Sequence, residues 1–253
     1  MDLKIIILCV AHKPLPYELP EGYVELGVGS NINAQYFTGV GDHINDRNNR
    51  YSEVSAIYWA LNNLDLTQYD FIGLVHYRRF FYPNTYQSTN ITSPLLSCSP
   101  ADWINLKKSV SINNISKSLL ENDGLAPVAR GFGRSFRQFY ADKHKNRTQD
   151  LELAYEKAVS NELFSSEFAA NELNQPFLTP YCMSILRTSL WISVWKKILS
   201  TLLEIEPNVS DHQDPYQNRN LGFLAERLHS SALGWLQSGG YRIHRLPIMS
   251  ILS

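Results

Sequence analysis

The sequence predicts a single α/β domain spanning residues 1–253, with a mixed, mainly parallel sheet flanked by helices and a more helical C-terminal half. Three observations predict it. The chain opens on a continuous, β-branched run, Lys4 to Ala11, of the kind that fills a strand buried on both faces. A second apolar run, Phe71 to Val75, follows an amphipathic helix pattern and breaks off abruptly into His76-Tyr77-Arg78-Arg79. Strand and helix patterns then alternate over all 253 residues with no compositional break and no internal repeat, a length that one core can serve.

In chain order, Pro14, Pro16 and Pro20 force a loop after the first strand. Val54, Ile57, Tyr58 and Leu61 stand at i, i+3, i+4 and i+7, which predicts a helix from Ser52 to Asn63 with Ser52 as its N-cap. The Phe71 to Val75 strand delivers polar residues at its C-terminal end, where open α/β sheets place ligand chemistry. Residues 83–98, rich in Ser, Thr, Asn and Pro, read as an excursion loop, and Gly124 to Val128 as a short strand after a helix ending near Glu121. Thr188 to Leu203 and Leu221 to Leu236 are helices with wide apolar faces, separated by a polar loop over 211–220, and Tyr241 to Leu246 is the final strand.

Composition narrows the class. With 44% hydrophobic and 19% charged residues the chain is an ordinary globular protein, which excludes disordered, collagen-like and coiled-coil readings. The 23 basic and 24 acidic residues nearly cancel, so no global field draws it to nucleic acid or membrane. Cys9, Cys98 and Cys182 are dispersed, without a CxxC pair, so neither a disulfide framework nor a zinc site is indicated. The short run at Ile5 to Ala11 lacks a cleavage site, and no run approaches the length of a membrane span. A cytoplasmic, reducing location is expected. The P-loop, the G-x-G-x-x-G turn after the first strand, the G-x-S-x-G elbow and H-E-x-x-H are all absent.

Four constellations carry chemistry. Gly41 to Glu53 is a dense polar loop feeding a helix N-terminus, either an anion- and hydroxyl-binding edge or a solvated Asn-rich loop. Asp70 to Phe81 sets two adjacent arginines and a histidine among aromatics, which suits a diphosphate and a stacked sugar or base; the alternative is a surface arginine pair over core aromatics. Between Arg130 and Arg147, Arg130, Arg134 and Arg137 fall at helical spacing among Phe132, Phe136, Phe139 and Tyr140, with Lys143, Lys145 and Arg147 beyond. That stretch is either an anion, lipid-headgroup or RNA patch, or a solvated basic face paired with acids. In Arg219 to Leu228, adjacent Glu226 and Arg227 point to different sectors of a helix.

Gly41-Asp42-His43-Ile44-x-x-x-Asn48, Tyr51-x-Glu53 with Tyr58-Trp59-Ala60-x-Asn62, and Tyr69-Asp70-x-Ile72-Gly73-Leu74-x-His76-Tyr77-Arg78-Arg79-Phe80 occur in this order. Tyr140 with His144, Asp150-Leu151, and Arg219-x-x-Gly222-Phe223-Leu224-Ala225-Glu226-Arg227-Leu228 follow. The pattern, which spans nearly the whole chain, resembles a bacterial family found in capsule and O-antigen gene clusters, described as a domain of unknown function or as exopolysaccharide-biosynthesis glycosyltransferases.

The resemblance implies a GT-A-like domain over residues 1–253. It implies transfer of a sugar from a nucleotide-sugar donor, a UDP-sugar such as UDP-galactofuranose, to a lipid-linked or growing glycan. Donor contacts fall on His12, Lys13, Asn48, Asp70, His76, Tyr77, Arg78, Arg79 and Arg227, with Asp70 or Asp42 on ribose or sugar hydroxyls. Glu226, Asp42 and Glu53 are the candidate bases. Arg130, Arg134 and Arg137 are the candidate patch for a polyprenyl-diphosphate acceptor or for peripheral attachment to the inner face of the membrane. No nucleic-acid partner is expected. The Asp-x-Asp metal motif of many GT-A enzymes is absent, with His76-Tyr77-Arg78 near its place, which leaves Mn2+ or Mg2+ and a metal-independent route both open. Where the family carries Asn-Met-Phe-Ile, this chain has Tyr181-Cys182-Met183-Ser184-Ile185, which implies a reshaped pocket wall. A rival reading is a non-catalytic carbohydrate- or nucleotide-binding module of a polysaccharide assembly complex.

Overall fold

The first strand, β1 (Ile5–Ala11), is buried along its whole length, and its side chains divide between two cores. Ile6, Leu8 and Val10 face one core and Ile5, Ile7 and Cys9 the other, the period-two consequence of a strand covered on both faces. This is why the run is continuous rather than alternating. The computed structural model describes residues 3–83, 95–144 and 147–252. Most of the loop expected over 83–98 lies outside the described residues, as does Lys145.

The remaining strands are β2 (Tyr23–Gly27), β3 (Tyr36–Phe37), β4 (Phe71–His76), β5 (Arg79–Phe81), β6 (Leu95–Cys98), β7 (Gly124–Pro127), β8 (Arg130–Gly131), β9 (Phe177–Leu178), β10 (Ser184–Arg187), β11 (Ile243–Leu246) and β12 (Ile248–Ile251). Helices are α1 (Asn48–Tyr51), α2 (Val54–Asn63), α3 (Pro100–Leu106), α4 (Ile112–Leu119), α5 (Phe136–Lys143), α6 (Thr148–Ser160), α7 (Ser166–Glu172), α8 (Thr188–Ile205) and α9 (Asn220–Ser238). The main sheet runs β11-β7-β10-β4-β1-β2-β3, with β5, β6 and β12 forming an extension from β4. β1 pairs in parallel with β2 and β4, while β10 enters antiparallel between β4 and β7, so the sheet is mixed as expected.

One core packs α2, α6, α8 and α9 on one face of the sheet; the other packs α3 and α4 on the opposite face, with Trp103, Val110, Ile115 and Leu119 fully inside. Both long C-terminal helices therefore belong to one layer, which accounts for the helical second half.

The end of the loop expected over 83–98 is the strand β6, paired with β12, and three other expectations change. The helix expected from Ser52 is two pieces, α1 and α2, because Ser52 sits at φ 53° and breaks the backbone between them. Ser52 does not cap α2; its hydroxyl accepts from Arg219 Nε at 2.8 Å instead. Arg130, Arg134 and Arg137 do not share one helix face: Arg130 lies in β8, and α5 begins only at Phe136, capped by Ser135 and Gln138. Finally, Tyr241 to Leu246 is not the last strand. Pro247 ends β11, and β12 then pairs with β5 and β6, closing the sheet extension beneath Arg79.

Candidate active site

β1 and β4 are parallel neighbours, so their C-terminal ends open at the same edge. At that edge lies a cavity of about 880 Å3. Its floor is Val10 near the end of β1, His12 just after it, and His76, Tyr77, Arg78 and Arg79 at the turn from β4 into β5. The turn is tight because His76 pairs with Arg79 across it, while Tyr77 N–H donates to Val10 C=O at 3.0 Å.

One wall comes from α1 and the start of α2. Tyr51 O–H donates to Glu206 at 2.9 Å, and Arg47 and Arg50 pair with the same carboxylate, which pins α1 to the end of α8. The break at Ser52 then leaves Glu53 at the mouth of α2, lining the cavity beside Asn48 and Ser52. A second wall is the first turns of α9, where Arg219, Gly222, Phe223 and Glu226 stand at i, i+3, i+4 and i+7 and all face the cavity. Gly222 is required there: a Cβ would come within 2.9 Å of Ser52 Oγ and 3.2 Å of Tyr51 O, so any larger residue drives α9 off α1.

The third wall is Tyr181, preceding β10. Tyr181 and Cys182 hold φ of 76° and 48°, two consecutive left-handed residues that are not glycine. Such backbone is costly and is held only where its surroundings dictate it. Here the Tyr181 backbone is bonded through both its N–H and its carbonyl. Its N–H donates to Glu226 at 2.7 Å, and its carbonyl accepts from His76 Nε2 at 2.8 Å. The same His76 nitrogen stands 3.8 Å from Glu53, whose other oxygen is 3.9 Å from Arg219. Behind the wall, Arg227 is 1% exposed, ion-paired with Glu226 and 5.4 Å from the Tyr140 ring. Glu226 therefore has both oxygens engaged by strong donors, whereas Glu53 takes a hydrogen bond from the Cys182 thiol and has His76 and Arg219 only at longer range.

The cavity is cationic. Arg78, Arg79, Lys143 and Arg219 line it against Glu53 and Glu226. Burial, and then the neighbouring Lys13, Arg219 and Arg78, lower the His12 pKa, so its ring is neutral at pH 7 and offers one N–H to a ligand. Among the described residues no group of three or more His, Cys, Asp or Glu side chains is arranged to hold a metal ion.

Of the residues singled out in the sequence, the fold brings together His12, Asn48, Glu53, His76, Tyr77, Arg78, Arg79 and Glu226. Lys13 sits at the rim, its Nζ 5.7 Å from the Tyr77 ring. Asp42 lies outside the cavity, exposed, accepting from Tyr58 O–H at 3.0 Å. Asp70 stands at the opposite end of β4 from His76, accepting the Lys4 N–H at 2.8 Å. Arg130 approaches the Tyr181 ring at 5.2 Å, whereas Arg134 pairs with Asp142 and Arg137 with Glu152. Arg219 and Lys143 were not among the chosen donor contacts. Arg219 carries a signal in lying seven residues before Glu226 on one helical stripe, and Lys143 in belonging to the basic stretch from Arg130 to Arg147.

The profile of the family described as a domain of unknown function (DUF4422) matches residues 6–236, which include nearly every residue just described. The chain belongs to this family. No curated protein matches it. A solved structure described as the apo form of the WbbM bifunctional glycosyltransferase superposes on this DUF4422 chain with a TM-score of 0.88 at 20% identity, covering 99% of this chain and 46% of that one. The DUF4422 chain thus shares the fold of part of a glycosyltransferase and spans less than half its length. Among the described residues, no helix of the DUF4422 chain is long and apolar enough to cross a membrane.

Proposed function

We propose that the chain is a glycosyltransferase that moves a sugar from a nucleotide-sugar donor to a glycan acceptor. The observation that carries this reading is the convergence of Arg78, Arg79, Arg219 and His12 on a cavity containing two carboxylates, at the sheet edge where α/β folds bind nucleotides. The glycosyltransferase fold neighbour supports it.

When the glycosidic bond breaks, its electron pair leaves with the nucleoside diphosphate, and fixed cations lower the barrier by meeting that charge. Arg78 and Arg219 take this role, with the His12 N–H beside them. The acceptor hydroxyl attacks the anomeric carbon, and its proton passes to a carboxylate. Glu53 is the base: His76 and Arg219 stand 3.8 and 3.9 Å from it and its close partner is the Cys182 thiol, a weak donor, while both oxygens of Glu226 are occupied by the Tyr181 N–H and Arg227. Glu226 holds the Tyr181 wall in place. The finer reading is a UDP-sugar donor, UDP-galactofuranose first, and an acceptor in bacterial capsule or O-antigen assembly, reached from the cytoplasmic face of the membrane.

The test is a thermal-shift screen against nucleotides and nucleotide sugars with Mn2+, Mg2+ or chelator, followed by product detection. A ligand at 100 times its Kd stabilises by about 2.7 kcal/mol, enough to read as a higher Tm. Stabilisation by UDP or one UDP-sugar, with transfer or hydrolysis, is the expected result. Its persistence in chelator assigns the charge stabilisation to arginine. Binding without turnover replaces the enzyme by a carbohydrate- or nucleotide-binding module, and no nucleotide response overturns the reading.

A further inference from the structure

Basic side chains at the cavity gather around two tyrosines. Around the Tyr77 ring stand the His12 ring at 5.0 Å, Arg78 Cζ at 5.6 Å and Lys13 Nζ at 5.7 Å. Around the Tyr181 ring stand Arg79 Cζ at 4.2 Å and Arg130 Cζ at 5.2 Å. Consecutive Arg78 and Arg79 go to different rings because the chain reverses between β4 and β5 at this point. Lys143, at the C-terminal end of α5 with its Nζ 5.5 Å from the Phe139 ring, lines the same cavity; partial burial and the charges of Arg227 and Arg130 lower its pKa, with only Glu226 opposing.

Charge pairing separates the second set from its neighbours in sequence. Arg134, Arg137 and Arg147 are paired with Asp142, Glu152 and Asp150. Among the described residues, Arg79, Arg130 and Lys143 make no ion pair with a carboxylate. Three like charges held together at a cavity wall repel one another, and a bound anion relieves that repulsion. A nucleoside diphosphate brings one diphosphate, which the Tyr77 set and Arg219 can seat. A volume of about 880 Å3 lies near the upper end of what single-ligand pockets enclose, leaving room for a second group.

We propose that Arg79 and Arg130 on the Tyr181 ring, with Lys143 on the same cavity wall, form a second anion subsite, which seats a charged group of the acceptor. The group is a phosphate or diphosphate linking the glycan to its carrier, or a carboxylate on one of its sugars. This rests on the glycosyltransferase reading above. It explains why the Tyr181 peptide is tied to both Glu226 and His76: the wall that receives the acceptor's charge also holds the carboxylates that face its hydroxyl.

Calorimetric titration of inorganic pyrophosphate into protein saturated with UDP tests it. The expected result is one further binding site, weakened tenfold or more in Lys143→Gln and in Arg130→Gln but kept in Arg134→Gln, whose side chain is already paired. Lys143 is exposed at a helix end, so its variant folds even if the arginine variant does not. Tighter binding of glucuronate than of pyrophosphate assigns the sugar carboxylate as the source, and the reverse assigns the phosphate linkage. No binding beyond UDP, or binding unchanged in both variants, overturns the subsite while leaving the nucleotide-sugar reading intact. If UDP itself does not bind, that reading fails; pyrophosphate titrated into the free protein then decides the subsite alone, by the same two variants.

Discussion

At the residue scale, the two carboxylates of the cavity have opposite prospects on mutation. Glu226→Ala strands a guanidinium that is 1% exposed and whose Nε and Nη2 already lack partners, so it costs about 3–5 kcal/mol, read as a large fall in Tm. Glu53→Gln removes no buried partner of that kind. The expected result is a Tm within a few degrees of wild type and kcat lowered about 100-fold or more, as for loss of a general base. An active Glu53→Gln variant moves the base elsewhere. Arg78→Ala should raise the donor KM about 10- to 100-fold, the worth of one or two charged hydrogen bonds, with little change in melting. A large loss of stability instead makes Arg78 structural.

At the scale of elements, the cavity depends on how closely α9 lies against α1. Gly222→Ala tests that approach. In an open helix the change gains about 0.5–1 kcal/mol. Here the new methyl meets Ser52 Oγ at 2.9 Å and Tyr51 O at 3.2 Å, and overpacking of this kind costs about 1–3 kcal/mol. The steric term wins, so Tm falls in thermal denaturation, and kcat falls with it because Arg219 and Glu226 ride on the displaced helix. The basic stretch on β8 and α5 divides along similar lines. With Arg134 and Arg137 already paired to acids, only Arg130 reaches the cavity wall. Liposome flotation of a variant with Arg130, Arg134 and Arg137 all changed to Glu checks peripheral attachment; unchanged association removes these residues from that role.

At the scale of the whole molecule, buried histidines set the acid limit of stability. Burial lowers the pKa of both His144 and His229 to about 3, against 6.5 in the open chain. Below pH 6.5 the unfolded chain takes protons that the folded one refuses, so stability falls with falling pH until about pH 3. Well below pH 6.5 each histidine contributes a slope of about 1.4 kcal/mol per pH unit, and together they remove about 3 kcal/mol between pH 6.5 and 5. Burial raises the Asp150 and Glu172 carboxyls, which opposes the loss once their range is reached. Urea unfolding at pH 7, 6 and 5 measures the slope, and His144→Asn should remove its share of it whatever the variant's absolute stability.

The sequence by itself determined the two central strands and the two long C-terminal helices, because a strand covered on both faces must be apolar throughout and a helix on a core must repeat at 3.6 residues. The runs at Ile5–Ala11 and Phe71–Val75, and the stripes of α8 and α9, carry those signals openly. It also marked the edge where β1 and β4 release polar residues, hence His12, His76, Arg78 and Arg79. Tertiary structure alone decided which distant groups meet there. Asp42 and Asp70 match the family pattern as well as Glu53 does, yet one is solvated and the other closes the far end of β4. The left-handed turns at Ser52, Tyr181 and Cys182 have no glycine to announce them, since they are imposed by packing against α9 rather than by local preference. Ion pairing likewise separates Arg130 from Arg134 and Arg137, because a charge's role follows from which carboxylates the fold brings within reach, and that is not written in the residues beside it.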